Sequence, residues 1–142
     1  MFFYDIQRRL SEWYRFRNSL KEYSKYECLT RTIKFWAGAP LVNSFLAYDL
    51  PETWPDPWEL ISDNFYDDVC VSLGIFYTLL YSNVFNKSDI IYNVYDVSDD
   101  IITCVTVENT YVLNYDYGNI IKKEDIAVLP RFQYNYNDII KE

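Results

Sequence analysis

The apolar residues of this chain change period once, and that change limits the folds open to it. Up to about residue 82 they recur every three or four positions, and from Asp89 onward they alternate. A period near 3.6 lines one face of a helix and a period of 2 lines one face of a strand, so helices come first and strands follow. This order predicts an α+β fold, N-terminal helices packed on an antiparallel β-meander, and not alternating βαβ units around a parallel sheet.

Residues 5–25 read as a helix, with Ile6, Leu10, Trp13 and Leu20 on one stripe and Arg8, Arg9, Arg15, Lys21 and Lys25 mostly off it. A second, short helix is expected over 29–36, stopped by Ala37-Gly38-Ala39-Pro40, because Gly ends helices and Pro cannot continue one. Residues 41–55 look like an ordered connection. Asp56-Pro57-Trp58-Glu59 then has an N-cap, a proline at the first helical position and a Glu able to close a capping box. A further helix over 66–82 would bury Val69, Leu73, Phe76 and Leu80 on one face, with Cys70, Tyr77 and Tyr81 beside them and Asp67 and Asp68 in the first turn. Strands are expected over 90–97, 101–107 and 111–115, the last two joined as a hairpin by Glu108-Asn109-Thr110. A turn follows at Asp116-Tyr117-Gly118-Asn119, with a fourth strand over 126–129 and a loosely docked tail over 131–142.

At 142 residues the chain is expected to be one domain (1–142), made of a basic helical region (1–36), an α+β core (54–130) and the tail (131–142). Folding at this size buries roughly 70% of the surface, so neither metal nor disulfide is needed for stability. The formal net charge of −8 is uneven: residues 1–36 hold eight Lys or Arg against four acids, and the remainder five against seventeen. An acidic body disfavours phosphate backbones and anionic membranes, and suits a basic protein surface. There is no histidine, which removes His-based triads, His-paired thiol nucleophiles and most zinc sites. Cys28, Cys70 and Cys104 are odd in number and widely spaced, so no disulfide framework or metal knuckle is indicated. No signal peptide is read at the N terminus, and the longest apolar run, 69–81, is shorter than the roughly 20 residues of a membrane span. The expected setting is a soluble one, a reduced cytosol, with no cofactor. Eleven Asn, thirteen Ile and fifteen Tyr against three Gly and four Ala suggest an AT-rich genome.

From Trp54 to Gly118 the chain resembles a degenerate member of the transglutaminase-like, papain-like cysteine protease superfamily, in particular the bacterial transglutaminase-like cysteine proteinases. Trp54-Pro55-Asp56-Pro57-Trp58-Glu59-Leu60 is similar to a Trp-x-x-Pro-x-Glu segment of that group, and Phe65-Tyr66-Asp67-Asp68 stands where its Gly-Asp-Cys-Glu-Asp motif opens the central helix. The resemblance puts the catalytic Cys position on Tyr66. It puts the His strand on Ile101-Ile102-Thr103-Cys104-Val105 and the Asp strand on Tyr111-Val112-Leu113-Asn114-Tyr115-Asp116, so Tyr66, Cys104 and Asp116 become the degenerate catalytic positions. A thiolate needs a cationic or basic partner to lower its pKa, and none of the superfamily's pair is present, which implies a pseudoenzyme with no catalytic residue. The style of the chain also resembles small tailed-phage proteins, which implies a virion, neck or tail role.

Other constellations read as structural. Asp67-Asp68 and Asp99-Asp100 are adjacent carboxylates that point apart, as caps or turns, and the loop holding Asp96, Asp99 and Asp100 lacks the glycine and ligand spacing of a calcium site. Fifteen Tyr exceed what such a core can bury with every hydroxyl satisfied, so Tyr4, Tyr14, Tyr23, Tyr26, Tyr134 and Tyr136 are expected at least partly exposed.

Three functional readings follow. The first is a non-catalytic structural or assembly protein of a tailed phage. It would bind protein partners, among them other phage subunits or its own copies, through Arg8, Arg9, Arg15, Tyr14, Tyr23, Tyr134 and Tyr136, without contacting membrane or nucleic acid. Charge reversal at Arg8, Arg9 and Arg15 is then expected to weaken binding and leave thermal stability unchanged. The second is an acidic inhibitor of a host nucleic-acid enzyme that mimics DNA. The third is a residual cysteine hydrolase built on Cys70.

Overall fold

A computed structural model describes residues 1–43 and 46–140 of the chain. Residues 44 and 45 of the expected connection, and 141 and 142 of the expected tail, lie outside the described residues. The helices are α1 (Ile6–Ser19), α2 (Lys25–Ala37), α3 (Pro57–Asp63), α4 (Asp68–Ser82) and α5 (Tyr136–Ile139), and the strands are β1 (Ile90–Val97), β2 (Asp100–Val107), β3 (Tyr111–Leu113), β4 (Ile120–Lys122) and β5 (Phe132–Tyr134). The strands form one antiparallel sheet in the order β4-β3-β2-β1-β5. The α+β expectation of helices first and a meander after holds.

Local chemistry sets the boundaries. Asp56 accepts from Glu59 N–H at 2.8 Å and Glu59 Oε1 from Asp56 N–H at 3.2 Å, closing the capping box of α3. Asn64 ends α3 in the left-handed region at φ 56°. The first expected helix is two: α1 gives way to a 3-10 turn at Leu20–Glu22, and Ser24 caps an α2 longer than the 29–36 expected. Ser98 and Asp99, with φ of 51° and 70°, make the tight link between β1 and β2, whose register pairs Val97 with Asp100.

The core is deeper than one amphipathic face. α4 is buried on nearly all sides, because α1 and α2 pack against one side of it and β1 and β2 against the other. Three tryptophans anchor the helical side: Trp13 and Trp36 both donate to the hydroxyl of Thr78, and Trp54 donates to Ala47 O at 2.7 Å. The sheet's helix-facing side carries Ile90, Tyr92, Val94, Val105, Val107 and Leu113. Its other side carries Tyr95, Cys104 and Val112 under Tyr115, Ile121 and Ile126.

Two expectations for the C-terminal third are corrected. Residues 126–129 are not a strand; the fourth strand is β4, and Ile126 instead folds onto the far face of the sheet. The segment read as a loose tail adds an edge strand, β5, paired with β1 through Val94–Phe132 and Tyr92–Tyr134, and continues into α5, where Ile139 is buried.

Candidate functional site

At the N terminus of α4, β2 and the described residues 41–43 and 46–48 come together. Tyr66 lies just before the helix in extended backbone, bridged in parallel to Leu41, and Val42 N–H donates to Tyr66 O at 2.8 Å. Asp67 is the N-cap: Oδ1 accepts from Cys70 N–H at 2.8 Å and Oδ2 from Leu46 N–H at 2.9 Å, tying Leu46 to the helix. Opposite, β2 is bolted to α4. Thr103 Oγ1 donates to Asp68 O at 3.1 Å, Ser72 Oγ donates to Thr103 O at 2.9 Å, and Asn114 Nδ2 donates to Ser72 Oγ at 3.0 Å.

Between these walls lies a groove of about 460 Å³, lined by Leu41, Val42, Leu46, Tyr48, Asp68 and Thr103 among others. That volume falls within the range of small-ligand and peptide sites. A second hollow of about 120 Å³ adjoins it and is lined by Asp68, Ile101, Ile102, Thr103, Asn114, Tyr115 and Tyr117. Asp68, Ile101 and Thr103 are common to both. Asp68 is exposed, and among the described residues no Lys or Arg pairs with its carboxylate.

The degenerate catalytic positions do not meet here. Tyr66 is fully buried, edge-on to Phe2 and Trp36, and its hydroxyl has no hydrogen-bond partner among the described residues. Burial pushes its phenol well up, against the opposing pull of the Arg9 charge. Cys104 points to the far face of the sheet, because even-numbered residues of β2 face away from α4 and odd-numbered ones face it. Asp116 sits in an exposed turn, accepting from Asn119 Nδ2 at 3.0 Å. The groove is served by their neighbours Asp68, Thr103 and, through the hollow, Asn114. The parity of β2 is the signal that would have selected Thr103: Val105 and Val107 must face the core, so Thr103 does too.

Cys70 does not support a thiol reaction. It is fully buried in the first turn of α4, where Asp67 caps its backbone N–H, and desolvation drives its thiol pKa strongly upward, the opposite of an activated nucleophile. Cys28 and Cys104 are likewise buried with thiols pushed up by desolvation.

Among the expected partner-binding residues, Arg9 is structural. It is 8% exposed, and its guanidinium donates to Ile61 O at 3.1 Å, Ser62 O at 2.8 Å and Tyr4 O, capping the last carbonyls of α3. Charge reversal at Arg9 therefore destabilises the fold, contrary to the expectation from sequence. Arg8 is exposed with its guanidinium 3.7 Å over the Tyr4 ring, and Arg15 is exposed beside Glu12 at 3.5 Å. Tyr14 is exposed on α1, and Tyr23 is covered by Arg31 at 3.9 Å. Tyr134 donates to Tyr48 O at 3.2 Å, and it and Tyr136 are half-buried against the core. These side chains are spread over α1, the 3-10 turn after it, β5 and α5.

The fold has solved counterparts of the transglutaminase-like kind: calcium-bound LapG from Legionella pneumophila superimposes with a TM-score of 0.77 over 93% of this chain and 77% of its own, at 17% identity. A second LapG structure gives 0.73 over 92% of this chain and 75% of its own, also at 17% identity. No protein-family model and no curated protein matches the chain. LapG is a bacterial transglutaminase-like cysteine protease. The likeness overturns the expectation of a non-catalytic phage structural protein and, with it, the non-enzyme, virion and pseudoenzyme assignments, since the structural neighbours are proteases and no finding carries the phage resemblance. Both Asp67 oxygens hold backbone N–H groups, and among the described residues no three Cys, Asp or Glu side chains come together. Among the described residues, no helix is long and apolar enough to cross a membrane.

Proposed function

We propose that this chain has a protease-like function, with polypeptide as its substrate class, exercised by engaging an extended segment in the groove at the N terminus of α4. The observation that carries this reading is the open side of β2. β3 pairs only with Val105–Val107, so residues 100–104 have no strand partner on that side among the described residues, and both cavities lie along this stretch. An extended polypeptide can lie along such an edge with alternate side chains directed into pockets; the Thr103 carbonyl, which already accepts from Ser72 Oγ, is not among the groups it would bond. The exposed apolar side chains of Leu41 and Val42 supply a wall for it, and the LapG likeness supports polypeptide as the class of substrate.

The test is fluorescence polarisation of labelled, unfolded casein, with mass spectrometry of the same mixtures for new peptide termini. Saturable binding is expected. Val42→Trp, at a side chain 44% exposed on the groove wall, fills the groove without touching the core and is expected to weaken binding about tenfold or more. New termini that disappear in the same variant would assign hydrolysis to the groove. Absence of binding, or binding indifferent to Val42→Trp, refutes the reading.

A further inference from the structure

We infer that the 120 Å³ hollow beside the groove is a subsite for one basic side chain of the bound polypeptide, with arginine favoured; the inference rests on the groove reading above. The hollow is large enough for a single side chain, since it corresponds to roughly four water volumes. It opens onto the unpaired stretch of β2, where an added strand would direct every second side chain.

Its chemistry is one-sided. The exposed ionisable groups of the lining are the Asp68 carboxylate and the Tyr117 phenol; Tyr115 is half-buried against Tyr95. No lining residue of either cavity is a Lys or Arg. Asp67, in the larger groove, has both oxygens engaged by backbone N–H, which leaves Asp68 as the carboxylate able to receive a ligand cation. A guanidinium can bind a carboxylate through two parallel N–H donors and lay its plane on an aromatic face. Tyr117 is 42% exposed and close enough to Asp68 for that charge to help hold its phenol above its ordinary pKa, after burial as the larger cause. A carboxylate and a half-exposed tyrosine ring on one small hollow are the complement of an arginine. The residues from 37 onward are strongly acidic, which adds long-range attraction for a cationic segment.

The test compares two heptapeptides in isothermal calorimetry at low salt: acetylated Ala-Ala-Val-Arg-Val-Ala-Ala amide and the same peptide with citrulline, the neutral isostere of arginine. The arginine peptide is expected to bind wild type at least tenfold more tightly. The preference should vanish in Asp68→Asn, persist in Asp63→Asn, which removes an equal charge from α3 outside both cavities, and shrink in Tyr117→Ala. Circular dichroism checks that each variant is folded; should Asp68→Asn fail to fold, Tyr117→Ala carries the test. Equal binding of the two peptides overturns the basic subsite and leaves the groove reading standing. A preference that survives Asp68→Asn overturns the assignment of the hollow. Binding of neither peptide overturns both.

Discussion

The hydroxyl of Thr78 holds three helices at one point, and its removal is the most informative single perturbation of the fold. Trp13 of α1 and Trp36 of α2 donate their indole N–H groups to it at 3.0 and 2.9 Å, and it donates to Gly74 O at 2.7 Å. One donor and two acceptor sites are thereby all used. Thr78→Val keeps the shape and removes the oxygen, leaving two indole N–H groups in a region where Trp13 is 1% and Trp36 0% exposed. An unsatisfied buried donor costs about 1–3 kcal/mol, so the pair amounts to about 2–6 kcal/mol. That is a large part of the roughly 5–15 kcal/mol available to a domain. Thr78→Ser keeps the hydroxyl and loses one methyl, for about 1 kcal/mol. In urea titrations followed by tryptophan emission, with a slope near 2 kcal/mol/M, the valine variant should lose roughly 1–3 M in midpoint and the serine variant about 0.5 M. A valine variant within 1 kcal/mol of wild type, or a serine variant the worse of the two, would refute the account.

Two further expectations follow from packing and burial. At Gly74 an added Cβ would lie 2.5 Å from Trp36 Cη2 and Cζ2, a ring fixed by its bond to Thr78, so Gly74→Ala should cost about 1–3 kcal/mol despite alanine's better helix propensity. Gly38→Ala meets only ordinary contacts at 3.7 and 4.0 Å and should gain about 0.4–1 kcal/mol in the same titration. Burial raises the pKa of Cys70 and Cys104 from an ordinary 9.0, raises those of Tyr66, Tyr77 and Tyr92 from an ordinary 10.0, and pushes Tyr95 up to about 12. Above pH 9 the unfolded chain therefore loses protons that the folded chain keeps, and stability must fall as pH rises from about 9 through 12. Urea midpoints constant across that range would contradict this burial.

What the sequence disclosed and what it hid follow from how many residues each feature spans. The run of β-branched and aromatic residues over Ile90–Val97 and the Asp56-Pro57-Trp58-Glu59 cap are written in several residues at once, and both elements fall where those residues put them. β4 and β5 have three residues each, too few to display a period of 2, and they exist because β3 and β1 offer edges to pair with. In the same way α4 looked one-faced from its strongest apolar stripe, whereas Ser72, Gly74 and Thr78 make its other sides buriable by receiving Thr103, Trp36 and Trp13. The resemblance at 65–68 and 101–116 marks segments that border the groove, but which of their residues line it turns on side-chain parity. One residue along β2 separates Cys104, which faces away, from Thr103, which faces the helix.

The Ser72, Thr103 and Asn114 cluster explains how the groove keeps its form without a thiol and imidazole across it. β2 must approach the first turns of α4 closely, and this puts the Thr103 carbonyl at a buried contact where it needs a donor. Ser72 supplies it, Thr103 Oγ1 reaches back to Asp68 O, and Asn114 reaches Ser72 from the end of β3, held at φ 77° by the turn that follows. The bonds are short range and mutually dependent, so the distance between the helix end and β2 is fixed from both strands. Asp68 is thus carried on a rigid floor with its carboxylate outward. A ligand that meets it has a hydrogen-bonded support already in place, so specificity can reside in one exposed charge.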